Sequence, residues 1–73
     1  MNMKLFRFYG STGFSSWVAA ARGRTESEAA QRVAQRLAGR KAGAYPTVVG
    51  GRPGWQVATP DGGPLVSIVR LEA

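Results

Sequence analysis

Residues 25–38, TESEAAQRVAQRLA, decide the fold of this 73-residue chain. Thr25 and Glu28 have the spacing of a capping box, in which the Thr25 hydroxyl accepts from the amide of residue 28 and Glu28 reaches back to the amide of residue 25. Six apolar residues then recur at helical spacing and cover about half of the helix circumference: Ala29, Ala30, Val33, Ala34, Leu37 and Ala38. The pattern predicts a helix over residues 26–38, ended by Gly39 or Gly43.

On both sides of this helix the sequence has the pattern of short strands joined by turns. Runs rich in aromatic and β-branched residues, bounded by Gly, Pro and Asp, predict strands and tight turns. The predicted strands are residues 4–9, 14–22, 55–59 and 65–71, with residues 45–49 as a further short strand. Pro46 places that short strand at an edge of the sheet, because proline is tolerated there and at few other strand positions.

These elements predict an α+β fold and a single domain over residues 1–73. The expected architecture is an antiparallel sheet of four strands, or five if residues 45–49 form one, with one helix packed on one face. The order along the chain is β-β-α-(β)-β-β. Because the helix supplies mostly alanine, the sheet must supply the bulky core groups, for which the candidates are Phe6, Phe8, Trp17, Val57, Val66 and Ile68.

The other face of the predicted sheet is also apolar. A sheet with one solvated face alternates apolar and polar residues, yet a second apolar set falls on the alternate positions: Leu5, Tyr9, Phe14, Val18, Leu65, Val69 and Leu71. One interpretation is that a long loop over residues 39–54 closes over this face. The other is that the face binds a partner or a second copy of the chain, since small monomers seldom expose such patches without purpose.

The composition argues against catalysis. There is no Cys and no His, which removes thiolate nucleophiles, the usual acid–base side chain at neutral pH and the common zinc ligands. Glu26 and Glu28 lie two apart on the helix, about 200° around its axis, so they cannot act as a facing pair. We therefore predict that the protein is not an enzyme and holds no cofactor or metal.

The charge balance favours a negatively charged partner. Ten Lys and Arg against four acids give a net charge of +6, which suits nucleic acid, a nucleoprotein complex or an acidic protein surface. Codon usage in a GC-rich genome, which is rich in Arg, Ala and Gly, is the alternative explanation. A homodimer through the second sheet face or an edge strand is a further open alternative.

Most basic residues fall in and around the helix. Arg32, Arg36 and Arg40 are spaced i, i+4, i+8, which predicts a ridge that could follow phosphates or grip carboxylates. Arg22, Arg24 and Lys41 flank the helix. The alternative is an ordinary solvated helix face, with Glu28 pairing to Arg32.

Trp55 follows a glycine-rich loop that carries Arg52. A tryptophan beside a mobile arginine can stack on a base or anchor a protein contact. The alternative is a core residue at the start of a strand. The candidate partner-binding residues are thus Arg22, Arg24, Arg32, Arg36, Arg40, Lys41, Arg52 and Trp55.

No stretch predicts export or membrane insertion. The longest apolar run, residues 17–21, is far shorter than the roughly 20 residues that cross a bilayer. The first residues lack the apolar core of a signal peptide. We therefore predict no membrane association and a cytoplasmic location, which is the host cytoplasm if the chain is phage-encoded.

In size and organisation the whole chain resembles small accessory proteins of phages and mobile elements, including the anti-CRISPR inhibitors. That resemblance implies a compact non-enzymatic protein that blocks a nucleoprotein complex by binding one of its subunits. The first strands and the helix also look like sheet-type DNA-binding domains of integrases, although the third strand expected before the helix is missing. The expected function is therefore a non-catalytic basic inhibitor or accessory that docks on an acidic protein or nucleoprotein complex. The alternative is a nucleic-acid-binding domain that uses the helix arginines.

Overall fold

The computed structural model describes residues 2–11 and 14–71 and has an α+β fold. Its elements are β1 (Lys4–Ser11), β2 (Ser16–Gly23), α1 (Glu26–Ala38), β3 (Gly43–Val49), β4 (Arg52–Thr59) and β5 (Gly63–Arg70). The five strands form one antiparallel sheet in the order β2-β1-β5-β4-β3. The prediction of an antiparallel sheet with one helix packed on one face is confirmed, and residues 45–49 belong to a full fifth strand.

The helix has the predicted limits and the predicted N-terminal cap. The Thr25 hydroxyl accepts from the Glu28 amide at 3.2 Å. The reciprocal bond differs from the prediction, because the Glu28 carboxylate accepts from the amide of Arg24 rather than that of residue 25. The helix ends at Gly39, whose φ of 98° is readily adopted only by glycine.

The strand limits differ from the prediction at several ends. β3 begins at Gly43 and β4 at Arg52, so most of the predicted loop over residues 39–54 is sheet, turning at Gly50 and Gly51 with positive φ. β2 begins at Ser16, and Phe14 lies before it, fully exposed. Thr12 and Gly13 of the predicted turn lie outside the described residues.

The core lies between α1 and one face of the sheet. Phe8, Val57 and Ile68 of the sheet are fully buried, as are Ala29 and Ala34 of the helix. The other predicted core residues belong to the same cluster, with Phe6 buried and Trp17 and Val66 partly buried against it. Burying each large apolar side chain stabilises the fold by about 1.5–3 kcal/mol. The prediction that Leu37 belongs to the buried face of the helix is wrong, because its side chain is 46% exposed.

The interpretation that a loop closes over the second sheet face is wrong. Residues 43–49 extend the sheet sideways as β3 instead of crossing it. Within the described residues, no element covers the face opposite α1. We call this surface the open face.

Gln31 of α1 seals one edge of the sheet. Its side-chain Nε2 donates to the Ala44 carbonyl at 2.6 Å, and its Oε1 accepts from the Ala44 amide at 3.0 Å. These two bonds reproduce what a neighbouring strand would offer. The Gln31 amide therefore takes the place of one residue of a neighbouring strand beside β3. It holds Ala44, and with it Gly43, in the extended conformation that pairs with β4.

Replacing Gln31 with Glu removes the donor of this pair. We expect Gln31→Glu to lower the free energy of unfolding by about 1–3 kcal/mol at neutral pH, because a carboxylate faces the Ala44 carbonyl without a proton to donate. Urea denaturation measures the change. Gln35→Glu is the matched control, since Gln35 is exposed and the charge change is the same. Equal losses in both variants would contradict the role of the Gln31 amide.

The indole ring of Trp17 lies against Gly10, its direct partner in the β1–β2 ladder. A Cβ added at Gly10 would overlap the six-membered part of that ring. The bare backbone of Gly10 therefore makes room for a partly buried aromatic side chain.

We expect Gly10→Ala to lower the free energy of unfolding by about 1–3 kcal/mol, because the methyl group forces the Trp17 ring out of place. In a Trp17→Ala background the same change is expected to have an effect close to zero. Thermal or urea denaturation of the four variants of this cycle gives the coupling. An equal loss in both backgrounds would show that Gly10 acts through its backbone alone.

Candidate functional site

The open face carries a continuous apolar surface across β2, β1 and β5. Phe6 and Phe8 point to the core, so the alternate β1 residues Leu5, Arg7 and Tyr9 lie on the open face. Tyr9 is paired with Val18 of β2 on one side and with Val69 of β5 on the other. The three side chains therefore form a row across the middle strands.

This apolar surface is well exposed. Leu5 is 50% exposed, Tyr9 42% and Val18 59%. Leu71, which follows β5 and bonds to the Arg7 carbonyl at 2.8 Å, is 38% exposed. Single exposed apolar residues are ordinary, whereas a connected group of this kind is typical of surfaces that bind another molecule.

The charged residues of the open face are basic. Arg7 lies beside Ala20, and Arg22 beside Leu5, in the register of β1 and β2. The described acids lie elsewhere: Glu26 and Glu28 belong to α1, and Asp61 follows β4. Over the described residues the open face thus combines aliphatic groups, tyrosine and arginine without a carboxylate.

The predicted helix ridge is only partly formed. Arg32 and Arg36 lie on α1 and are exposed, but the helix ends at Ala38, so Arg40 lies in the turn after it. The Arg36 Nη1 donates to the Ala20 carbonyl of β2 at 2.7 Å. None of these guanidinium groups has an ion-pair partner among residues 2–11 and 14–71, and the alternative pairing of Glu28 with Arg32 is not formed there.

The other predicted basic residues are spread over the molecule. Arg22 lies on the open face, away from α1, whereas Arg24 and Lys41 lie in the segments before and after the helix. Arg52 begins β4. The structure places Arg32 and Arg36 on the helix and Arg24 just before its N-cap, and it separates Arg22 and Arg52 from them.

Trp55 is partly buried and packs against the core. Its Nε1 donates to Oε2 of Glu26 at 2.8 Å. The other oxygen of Glu26 accepts from Arg70 at 3.3 Å, and the Arg70 guanidinium lies 5.0 Å from the centroid of the Phe6 ring. Trp55 therefore occupies the position of a core residue at a strand, which was the alternative to a partner contact. Its ring nitrogen is held by Glu26 at the start of the helix.

A shallow cleft of about 280 Å³ adjoins this network and is lined by Glu26, Arg52, Pro53 and Arg70. The Glu26 carboxylate is held by Trp55 and Arg70 at its inner end. The cleft is open to solvent, and its charged groups are a single acid and two guanidinium groups. It offers no pair of converging acids for acid–base chemistry.

Residues 2–11 and 14–71 contain no cluster of potential metal ligands and no helix with the length and hydropathy to cross a bilayer. Comparisons with protein-family models, curated proteins and solved structures found no match.

The predicted site residues do not include the open-face residues Leu5, Arg7, Tyr9 and Val69. Strand alternation already indicated the apolar members of this surface, because they alternate with Phe6 and Phe8. In the sequence, Arg7 stands between Phe6 and Phe8, which face the core. This position was the available indication that its charge lies on the opposite face. Arg7 can be assigned to a binding surface only if this face of the sheet is known to stay uncovered. The sequence alone did not decide that point.

The Glu26 network makes a prediction about stability. We expect Glu26→Ala to lower the free energy of unfolding by about 1–2 kcal/mol, because the Trp55 nitrogen loses its acceptor. Glu26→Gln keeps an acceptor and is expected to lose roughly half as much, since the half-exposed ion pair with Arg70 contributes little. Urea denaturation ranks the variants. Asp61→Asn controls for the loss of one negative charge, because Asp61 is exposed in a turn. A loss of stability in Asp61→Asn as large as that in Glu26→Ala would contradict the role of the Glu26 hydrogen bonds.

Proposed function

We propose that this protein is a non-catalytic binding protein that docks through its open face on an acidic protein surface. The carrying observation is the row formed by Val18, Tyr9 and Val69 on a face without described acids, in which Val18 and Tyr9 are exposed and Val69 is partly buried. A partner that covers this row removes apolar area from water. Each such residue contributes on the order of 1 kcal/mol when buried.

The composition of the open face supports a protein partner. Interface centres are enriched in aromatic residues and Arg, whereas Lys, Glu and Asp are depleted there. Tyr9 lies at the middle of the row, Arg7 lies in the next row of the open face, and Arg22 lies one row further, beside Leu5. The two guanidinium groups favour carboxylates at the margin of the partner's apolar patch.

The open face is less suited to single-stranded nucleic acid. Sheets that bind single strands offer aromatic rings for successive bases. Here Tyr9 lies on β1 and Tyr45 on β3, with β5 and β4 between them, and the surface around Tyr9 is aliphatic. The helix arginines remain the basis of the alternative function, nucleic-acid binding, although Arg36 is engaged by the Ala20 carbonyl.

An inhibitor or accessory protein would act in this way, by occupying a surface that a nucleoprotein subunit uses for assembly or activity. The absence of His and Cys from the sequence and the engagement of Glu26 by Trp55 and Arg70 support a role without catalysis. The resemblance in size and organisation to phage accessory proteins agrees with it.

The test compares variants of the two surfaces. We expect Tyr9→Ser combined with Val69→Ser to weaken capture of specific protein partners from nuclease-treated extracts of the source organism by at least about tenfold, because the apolar row is lost. Arg32→Ala, Arg36→Ala and Arg40→Ala together are expected to weaken it by about fivefold, a smaller loss than that of the open-face variant. Quantitative mass spectrometry measures capture, and circular dichroism checks that each variant is folded.

A titration with nucleic acid separates the two functions. Random duplex and single-stranded DNA are expected to bind more weakly than about 10⁻⁴ M at physiological salt. Tighter binding with a steep salt dependence, abolished by the triple arginine variant and kept by the open-face variant, would sink the proposal in favour of nucleic-acid binding.

A further inference from the structure

The two edges of the sheet differ in what they offer to another chain. At the β3 edge, the Ala44 amide and carbonyl are already bonded to Gln31. The next residue whose backbone groups point outward is Pro46, which has no N–H. Among the described residues of β3, the outward N–H left for an added strand is that of Val48, so this edge offers less to an added strand than β2 does.

The β2 edge is open. The Arg7 carbonyl bonds to the Leu71 amide on the β5 side, so Arg7 and its β2 partner Ala20 exchange no hydrogen bonds with each other. In an antiparallel ladder such a β2 residue turns its N–H and C=O away from the sheet, and so do the residues two positions before and after it. The outward groups of β2 therefore belong to Val18, Ala20 and Arg22.

Little protects this edge. The β1–β2 ladder runs over eight residue pairs without a register shift, and β2 contains no proline. Among the described residues, the hydrogen bond that reaches the outer side of β2 is the one from Arg36 to the Ala20 carbonyl. A straight edge with free groups at alternate residues is the template for strand addition.

The charge around β2 selects the incoming chain. Arg22 lies on the strand, Arg24 follows it, and Arg36 touches it from α1. None of the three has an ion-pair partner among the described residues. A second copy of this chain would bring the same cations to the same edge, so like-charge repulsion disfavours β2–β2 pairing, whereas an acidic segment is attracted.

We propose that β2 pairs with an extended acidic segment of the partner protein, which becomes a sixth strand of the sheet. This inference rests on the proposed function and adds the chemistry of the partner. Side chains of an added strand alternate between the two faces. Those on the open face continue the apolar surface beside Val18 and Ala20, and those on the α1 side meet Arg36 and Arg32. The segment therefore alternates apolar residues with Asp or Glu.

The direct test uses a peptide of about nine residues that alternates Val with Glu and is blocked at both ends. Titration into isotopically labelled protein is expected to shift the amide resonances of residues 16–23 and leave those of residues 43–45 and 47–49 unchanged. A peptide with Lys in place of Glu is expected to bind at least about tenfold more weakly. A Val/Glu peptide whose alternate amides are methylated is expected to lose binding to a similar extent, because it cannot donate to the edge. Equal binding of all three peptides would overturn the proposal.

Protein variants test the edge and the charge separately. Val18→Pro removes an outward N–H without breaking the β1–β2 ladder, and we expect about tenfold weaker binding of the Val/Glu peptide. Val48→Pro makes the same change at the other edge and is expected to bind within about twofold of the parent chain. Arg36→Ala is expected to weaken binding by about fivefold and Arg40→Ala by less than twofold. Val48→Pro acting like Val18→Pro would contradict the assignment of the edge.

Failure of strand addition at β2 can be distinguished from failure of docking on the open face. Partner capture that survives Val18→Pro but not the open-face variant would overturn strand addition and leave docking on the face intact. Capture that survives both would overturn both. Dimerisation of the chain alone, seen by sedimentation and lost in Val18→Pro, would assign the edge to a second copy and contradict the acidic segment.

Discussion

The close packing of the alanine-rich side of α1 on the aromatic side of the sheet is the interaction on which the rest of the structure depends. Ala29, Ala30 and Ala34 are completely buried, and their small side chains let the helix approach Phe8 and Ile68. A helix of 13 residues is only about 20 Å long. It covers one face of a five-stranded sheet, and the apolar residues of the other face remain exposed for that reason.

The helix also determines how each edge of the sheet is exposed. It extends Gln31 to β3 on one side and Arg36 to β2 on the other. The amide of Gln31 both donates and accepts, so it satisfies Ala44 completely. A guanidinium group only donates, so Arg36 can satisfy a carbonyl of β2 but not the outward N–H groups of Val18, Ala20 and Arg22.

The arginines of α1 and of the open face lack neutralising partners because the described residues include few acids. Glu26 is occupied by Trp55 and Arg70, and Glu28 caps the helix through the Arg24 amide. Neither carboxylate neutralises the arginines of α1 or of the open face among the described residues. Both sides of the sheet are therefore positive at their margins. This arrangement favours a partner that presents carboxylates around the apolar centre it covers.

The sequence predicts what is local and misses what is distant. The helix limits and the Thr25 cap follow from residues within one or two turns, and both are confirmed. The early starts of β3 and β4 depend on Gln31, 13 positions from Ala44, and on a turn at Gly50 and Gly51. The bonding of Trp55 to Glu26 spans 29 positions. Likewise, only the register of β1 and β2 shows that Arg22 lies on the opposite side from Arg36.

The two hydrogen bonds of Gln31 link the protection of the β3 edge to the integrity of the helix. Gln31 can occupy the β3 edge only while α1 is docked, because its amide reaches Ala44 from the helix. A partial unfolding event that frees α1 exposes the backbone of Ala44 together with the aromatic side of the sheet. Exposed strand edges and apolar surface are the conditions under which chains assemble into fibrous aggregates. Substitutions that weaken helix docking therefore favour irreversible self-assembly as well as unfolding.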